Sequence, residues 1–230
     1  MNEHIVKSFE DELNTLTAEC ARMGGLAEAQ VADAIHAVGK REQALAAGLV
    51  ERDEQLDVMQ RDIERRAIRL IALRQPMAND LRRTVAAMKI AAELERTGDL
   101  AKNIAKRTLV IVESEPMQPL TRSLERLGKL VLTRLKIVLD AYTRSDVERA
   151  LTVWSQDDEV DEHYNSLFRE LLTYMMADPR TITACAHMLF VAKNLERIGD
   201  HATNIAEMVH YEITGEEMIQ ARPKTDAFTV

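Results

Sequence analysis

The sequence predicts an all-α protein: two tandem three-helix bundles related by an internal repeat. Three observations carry that expectation. The composition leans on Ala, Leu, Ile, Met, Glu and Arg with only 4% aromatics, a mixture that favours helices over sheets. Eight Gly and five Pro in 230 residues leave long stretches between breakers. And one segment is written twice. Leu94–Ala105, "LERTGDLAKNIA", returns at Leu195–Ala206 as "LERIGDHATNIA", with nine of twelve positions the same.

The elements follow from the breakers. The stretch Glu113–Leu120, "ESEPMQPL", holds Pro116 and Pro119 in a polar setting and reads as a linker. It divides the chain into a first bundle, 1–114, and a second, 115–216. Residues 217–230 lack periodicity and read as a flexible tail. In the first half, turns are expected around Gly39 and Pro76. In the second, Ser145 followed by Glu148 has the spacing of a capping box. Asp178 and Pro179 read as an N-cap and a first helical residue. Each half therefore holds three helices, packed antiparallel through short loops. Ile90, Leu94, Thr97, Ala101, Ile104, Thr108 and Ile111 step by four and three, as do Val191, Leu195, Ile198, Ala202, Ile205 and Val209. Leu49, Leu56, Ile63 and Leu70 recur every seven residues. All three stripes read as core seams.

Charge and cysteine usage narrow the function classes. A net charge of -8 argues against nonspecific nucleic-acid binding and against a polybasic membrane anchor. The N-terminal "MNEHIVKSFEDEL" has no apolar core of a signal peptide. The uncharged run 181–192 is too short to span a bilayer. A cytoplasmic protein without direct membrane insertion is expected, with Cys20 and Cys185 as buried free thiols.

The chemistry-bearing residues are carboxylates. Glu95, Asp99 and Asn103 share one helix face at four-residue steps, and Glu196, Asp200 and Asn204 repeat them. Asp53 and Asp57, and Asp157 and Asp161, give each half a second acid-xxx-acid pair one helix earlier. Four carboxylates brought together repel, and a cation removes that cost. Such oxygen ligands suit Mg, Ca, Mn or Fe better than a sulfur-rich zinc site. A solvated acidic face is the plainer alternative for any one pair; the duplication favours metal. Gly98 and Gly199 each precede the second acid at a helix-interior cost of about 1 kcal/mol. Close approach of a metal cluster and close helix packing explain them equally well. Arg96 and Arg197 read as i,i+3 partners of Asp99 and Asp200.

These residues carry a resemblance. "ELERTGDLAKNIA" and "NLERIGDHATNIAE", preceded by "LRQPMANDLR" and "LLTYMMADPRTI", are similar to the PhoU family of bacterial phosphate-signalling regulators. The resemblance implies a non-enzymatic negative regulator of the phosphate-starvation response. It would couple the ATPase subunit of the Pst phosphate transporter to a PhoR-type sensor histidine kinase and restrain phosphate uptake. It implies multinuclear metal sites, the ion being Mg, Mn, Fe or Zn, on Asp53, Asp57, Glu95 and Asp99 and on Asp157, Asp161, Glu196 and Asp200. Asn103, Asn204, Arg96, Arg197, Gly98 and Gly199 are weaker candidates around them. Long exposed helices further suggest a homodimer, peripheral to the membrane only through partners. Two other readings compete. A carboxylate-bundle metalloenzyme would want Glu-x-x-His on two helices, and only Glu207–His210 has that spacing. A purely structural module would not explain two glycines at costly positions.

Overall fold

The computed structural model describes residues 2–51 and 54–218, with side chains from residue 9 onward. Asp53 and the tail beyond residue 218 lie outside the described residues. All described elements are helical. The first half holds α1 (Asn2–Lys40), α2 (Gln43–Glu51), α3 (Glu54–Arg74) and α4 (Ala78–Ile111). The second holds α5 (Gln118–Arg144), α6 (Val147–Ser155), α7 (Asp157–Ala177) and α8 (Ile182–Thr214), with a 3-10 turn at Pro179–Thr181.

In the second half the expected middle helix is two helices, α6 and α7, meeting at an elbow at Gln156; in the first half, residues 52 and 53 between α2 and α3 lie outside the described residues. The heptad across α2 and α3 holds, since Leu49, Leu56, Ile63 and Leu70 are all buried. At the α6–α7 elbow, Asp157, Asp158 and Glu159 fill the first turn of α7, where acids complement the helix dipole. That run of acids is a helix-start signal inside what the spacing of breakers reads as one helix.

Two boundaries are corrected. Gly39 lies within α1, and the turn falls at Arg41, which adopts φ 58°. Arg41 then caps the end of α4 by donating to the carbonyls of Val112 and Ser114. Ser145 does not start a capping box; it ends α5 in a left-handed conformation with φ 50°. Asp146 is the N-cap of α6 and accepts from the Arg149 amide at 3.1 Å. Asp178 caps the 3-10 turn as expected, with Pro179 at the first position. Pro119 is tolerated in the first turn of α5 because its missing N–H is not needed there.

The four long helices form the centre. α4 packs along α8 and α1 along α5, while α2–α3 and α6–α7 flank α4 and α8. The repeat is also a spatial one. A Cβ on Gly24 would meet Leu139, and one on Gly128 would meet Ile35. Residues 24 and 128, and 35 and 139, are both related by the same 104-residue shift. The two contacts are therefore one contact repeated about a pseudo-twofold axis between α1 and α5. α4 and α8 run antiparallel: Arg82 donates to the Glu212 carbonyl near one end, and the Arg107 guanidinium lies over the Phe190 ring near the other. One continuous buried core runs through both halves.

Candidate functional site

The duplicated glycines decide how the acids are arranged. A Cβ on Gly98 would stand 2.2 Å from Leu56 Cδ1 and 3.1 Å from Gln30 Oε1. A Cβ on Gly199 would stand 3.2 Å from Val160 Cγ1. In both halves the glycine is where the flanking helix presses its seam residue into the long one. Close helix packing, of the two readings, is what the glycines serve.

Each acid pair is placed by that contact. On both helices the acids lie three residues before the contact residue and one after it: 53 and 57 about Leu56, 95 and 99 about Gly98, 157 and 161 about Val160, 196 and 200 about Gly199. Those offsets rotate the acids roughly 60–100° to one side of the contact. The paired helices are antiparallel, so the rotation senses oppose and both pairs fall on the same side of the seam. The steps along the axis interleave, giving the order Asp157, Asp200, Asp161, Glu196 in the second half and, among the described acids of the first, Asp99, Asp57, Glu95. The second row spans about 9 Å.

The two rows differ in setting. In the second, Asp157 is 6% exposed and Glu196 9%. Thr203 donates to Asp157 Oδ1 at 2.8 Å, and Lys193 to Glu196 Oε1 at 2.7 Å. Glu196 Oε2 is buried with no hydrogen-bond partner. In the first, Asp99 is exposed and Glu95 and Asp57 are half-buried; Lys102 stands 3.9 Å from Asp99. Among the described residues, no three His, Cys, Asp or Glu side chains are gathered so as to hold a metal ion. The donors are nonetheless all oxygen, and a buried carboxylate oxygen left without a partner fits a hard cation.

The weaker candidates are dispersed. Asn103 is exposed on the surface of α4. Asn204 instead donates to Glu93 Oε2 at 2.7 Å, and His201 Nδ1 stands 2.6 Å from the same oxygen. This cluster bridges α4 and α8, and so the two halves. Burial alone would raise the Glu93 carboxyl; the His201 and Asn204 hydrogen bonds and the charges of His201 and Arg96 outweigh it and hold the group below its ordinary value. Its link between halves is therefore in force above the usual glutamate range and lost as pH falls through the lowered value. Arg96 pairs back with Glu93 at 3.9 Å, not forward with Asp99. Arg197 is exposed and forms no ion pair among the described residues.

Two residues here have no signal in the repeat. Glu93 is matched by Asn194, so no duplication marks it. Arg134 of α5 is 8% exposed, donates to Gln156 and pairs with Glu159 at the α6–α7 elbow. Its counterpart in the first half is Gln30, itself 7% exposed.

The comparisons agree with this architecture. The family model for the PhoU domain matches residues 20–108 and again 124–209. The chain is 66% identical over 229 residues to a phosphate-specific transport system accessory protein PhoU homolog of Caulobacter vibrioides, covering 100% of both. It is 40% identical over 217 residues to the phosphate-specific transport system accessory protein PhoU of Escherichia coli, covering 94% of this chain and 90% of that protein. The crystal structure of PhoU from Pseudomonas aeruginosa superposes with a TM-score of 0.85 at 39% identity, covering 90% of this chain and 100% of that one. The structure of the PhoU phosphate transport regulatory protein from Streptococcus pneumoniae gives the same TM-score at 29% identity, over 92% and 100%. A fold written twice, its duplicated helix contacts and a family match in each half lead to one conclusion: the chain belongs to the PhoU family, whose members are accessory proteins of phosphate transport rather than enzymes.

Proposed function

We propose that this chain is the cytoplasmic regulator that restrains phosphate uptake, contacting the ATPase subunit of the phosphate-specific transporter and a PhoR-type sensor kinase. The observation that carries this is full-length similarity to accessory proteins of that transport system. No described helix is long and apolar enough to cross a membrane. The carboxylate rows are proposed as divalent-cation sites on Asp53, Asp57, Glu95 and Asp99, and on Asp157, Asp161, Glu196 and Asp200. A bound cation would supply positive charge that draws each row together, with no turnover. What this chain contributes is placement: Gly98 and Gly199 let the paired helices approach, and Thr203 orients Asp157.

Two measurements test this. Affinity capture of the transporter ATPase and of the kinase's cytoplasmic region by the full chain should retain at least one; retention of neither sinks the adaptor reading. Elemental analysis after loading with Mn or Mg should find metal that an Asp99→Ala, Asp200→Ala variant loses. Equal metal in both proteins, or none in either, removes the ligand assignment.

A further inference from the structure

The corner between α3 and α4 is built unlike the rest of the surface. Ile68, Leu73, Met77 and Leu81 are 53%, 68%, 81% and 38% exposed there. Only Gln75, Pro76 and Met77 separate the two helices, so these side chains stand on a projecting tip. Behind it, residues 61–74 hold five arginines against two acids, +3 along that segment in a chain whose net charge is -8, and two further acids come from α1. Arg61, Arg65, Arg69 and Leu73 recur every four residues, so a basic stripe on the outward face of α3 leads to the apolar tip. Arg66 and Arg74 are engaged with Glu19 and Glu12 on α1, and Arg65 pairs with Asp62 in its own helix. Arg69 forms no ion pair among the described residues.

The other end of the molecule is the control that the repeat provides. Because α4 and α8 are antiparallel, the α7–α8 corner lies at the far end. It also exposes apolar groups, with Leu172 at 40%, Met176 at 85% and Ile182 at 48%. Residues 165–178, the counterpart of 61–74, carry one arginine against two acids. The apolar tip is common to both halves; the basic stripe belongs to one.

We propose that the α3–α4 corner docks directly and reversibly on a bilayer rich in anionic lipid. A convex tip of flexible apolar side chains needs no shaped receptor pocket in a fluid interface, whereas a protein partner would have to supply one. Arg69 stands one turn, roughly 6 Å, behind Leu73. That matches apolar groups entering 5–10 Å at the headgroup boundary with cations left among the phosphates, roughly as interfacial helices lie. The acidic average of the chain hides this local charge. The inference rests on α3 and α4 and goes beyond the regulatory reading, with which it neither stands nor falls.

The test is co-flotation of the full chain with vesicles of phosphatidylcholine alone or mixed with phosphatidylglycerol. Capture should require the anionic lipid and weaken with salt. Arg65→Gln with Arg69→Gln should lower it by more than about tenfold, at about fivefold per arginine near the surface. Leu73→Ser with Met77→Ser should abolish it, and Leu172→Ser with Met176→Ser should leave it unchanged. All these positions are exposed, and unchanged thermal melting of each variant confirms that folding is intact. Absence of capture, equal capture by neutral vesicles, or indifference to the α3 variants overturns the proposal. So does a corner whose variants lose capture of the transporter ATPase while wild-type protein ignores anionic vesicles; that outcome makes it a protein interface.

Discussion

At Gly98 and at Gly199 the same helix pair meets at the same point of the repeat, yet the surroundings have been filled differently. Around Gly98 the first half places Leu56 and the neutral Gln30. Around Gly199 the second places the smaller Val160, and the position matching Gln30 is Arg134, buried against Gln156 and Glu159. Further along the long helices, Ile111 is buried in the first half at 1% exposure, while its counterpart in the second is Glu212. The comparison teaches that a duplicated backbone fixes where helices touch and leaves open which half carries buried charge.

The largest expected effect comes from forcing the second half's charge into the first. Gln30→Arg puts a guanidinium at a 7% exposed position where the counterpart of Glu159 is the neutral Gln55. An uncompensated buried charge costs several kcal/mol, so a loss of about 4 kcal/mol in urea unfolding is expected. Adding Gln55→Glu should recover part of it. If Gln30→Arg alone is neutral, the halves are more alike in polarity than their side chains indicate.

Next in size is Glu212. Burial pushes its carboxyl from 4.5 up to about 7, with the charge of Arg83 partly opposing. Between those values the native state holds a proton that the unfolded chain releases, so stability falls as pH rises from 4.5 and the loss is complete above 7. The integrated effect is about 3 kcal/mol. Glu212→Gln should be more stable than wild type at pH 8 by up to about that amount and should lose this slope. Thermal melting across pH 4 to 8 reads it (about one melt per pH step); identical profiles would show that Glu212 is solvated as freely as a surface acid.

What was legible in the sequence follows the same division. The repeat, the seams and the helix-breaking prolines are local or periodic signals, and they placed the core stripes correctly. The α6–α7 elbow was not read because no proline or glycine marks it; its signal is the run Asp157, Asp158 and Glu159 that opens α7. The acid rows were legible as spacing, but their interleaving depends on which seam residue each glycine receives, which is a tertiary contact. Glu93, His201 and Asn204 were illegible as a cluster because they join α4 to α8 across 108 and 111 residues, and Glu93 and His201 are matched by Asn194 and Leu100 in the repeat. Paired positions reveal what the halves share, and the link between halves is what they do not share.

The smallest effects sharpen the comparison most. In Gly98→Ala the new methyl would overlap Leu56 Cδ1 at 2.2 Å. Leu56 is 1% exposed, so its side chain must shift within the packed core. Overpacking costs about 1–3 kcal/mol, and the better helix propensity of alanine returns about 1 kcal/mol. A net loss of up to about 2 kcal/mol is expected. In Gly199→Ala the nearest atom is Val160 Cγ1 at 3.2 Å, which must yield only a few tenths of an ångström, roughly; propensity then offsets strain and stability should change by less than about 0.5 kcal/mol. Leu56→Val in the Gly98→Ala background recreates the second half's pairing and should restore much of the loss, a coupling that a double-mutant cycle isolates. Helix packing and a cation row also separate in this pair of variants. Were either glycine needed for a metal to approach, its alanine variant would keep the expected stability in apo protein and lose Mn. If metal content instead follows the helix contact, Gly98→Ala should weaken binding only as far as it moves α3, and the Leu56→Val partner should bring both back together.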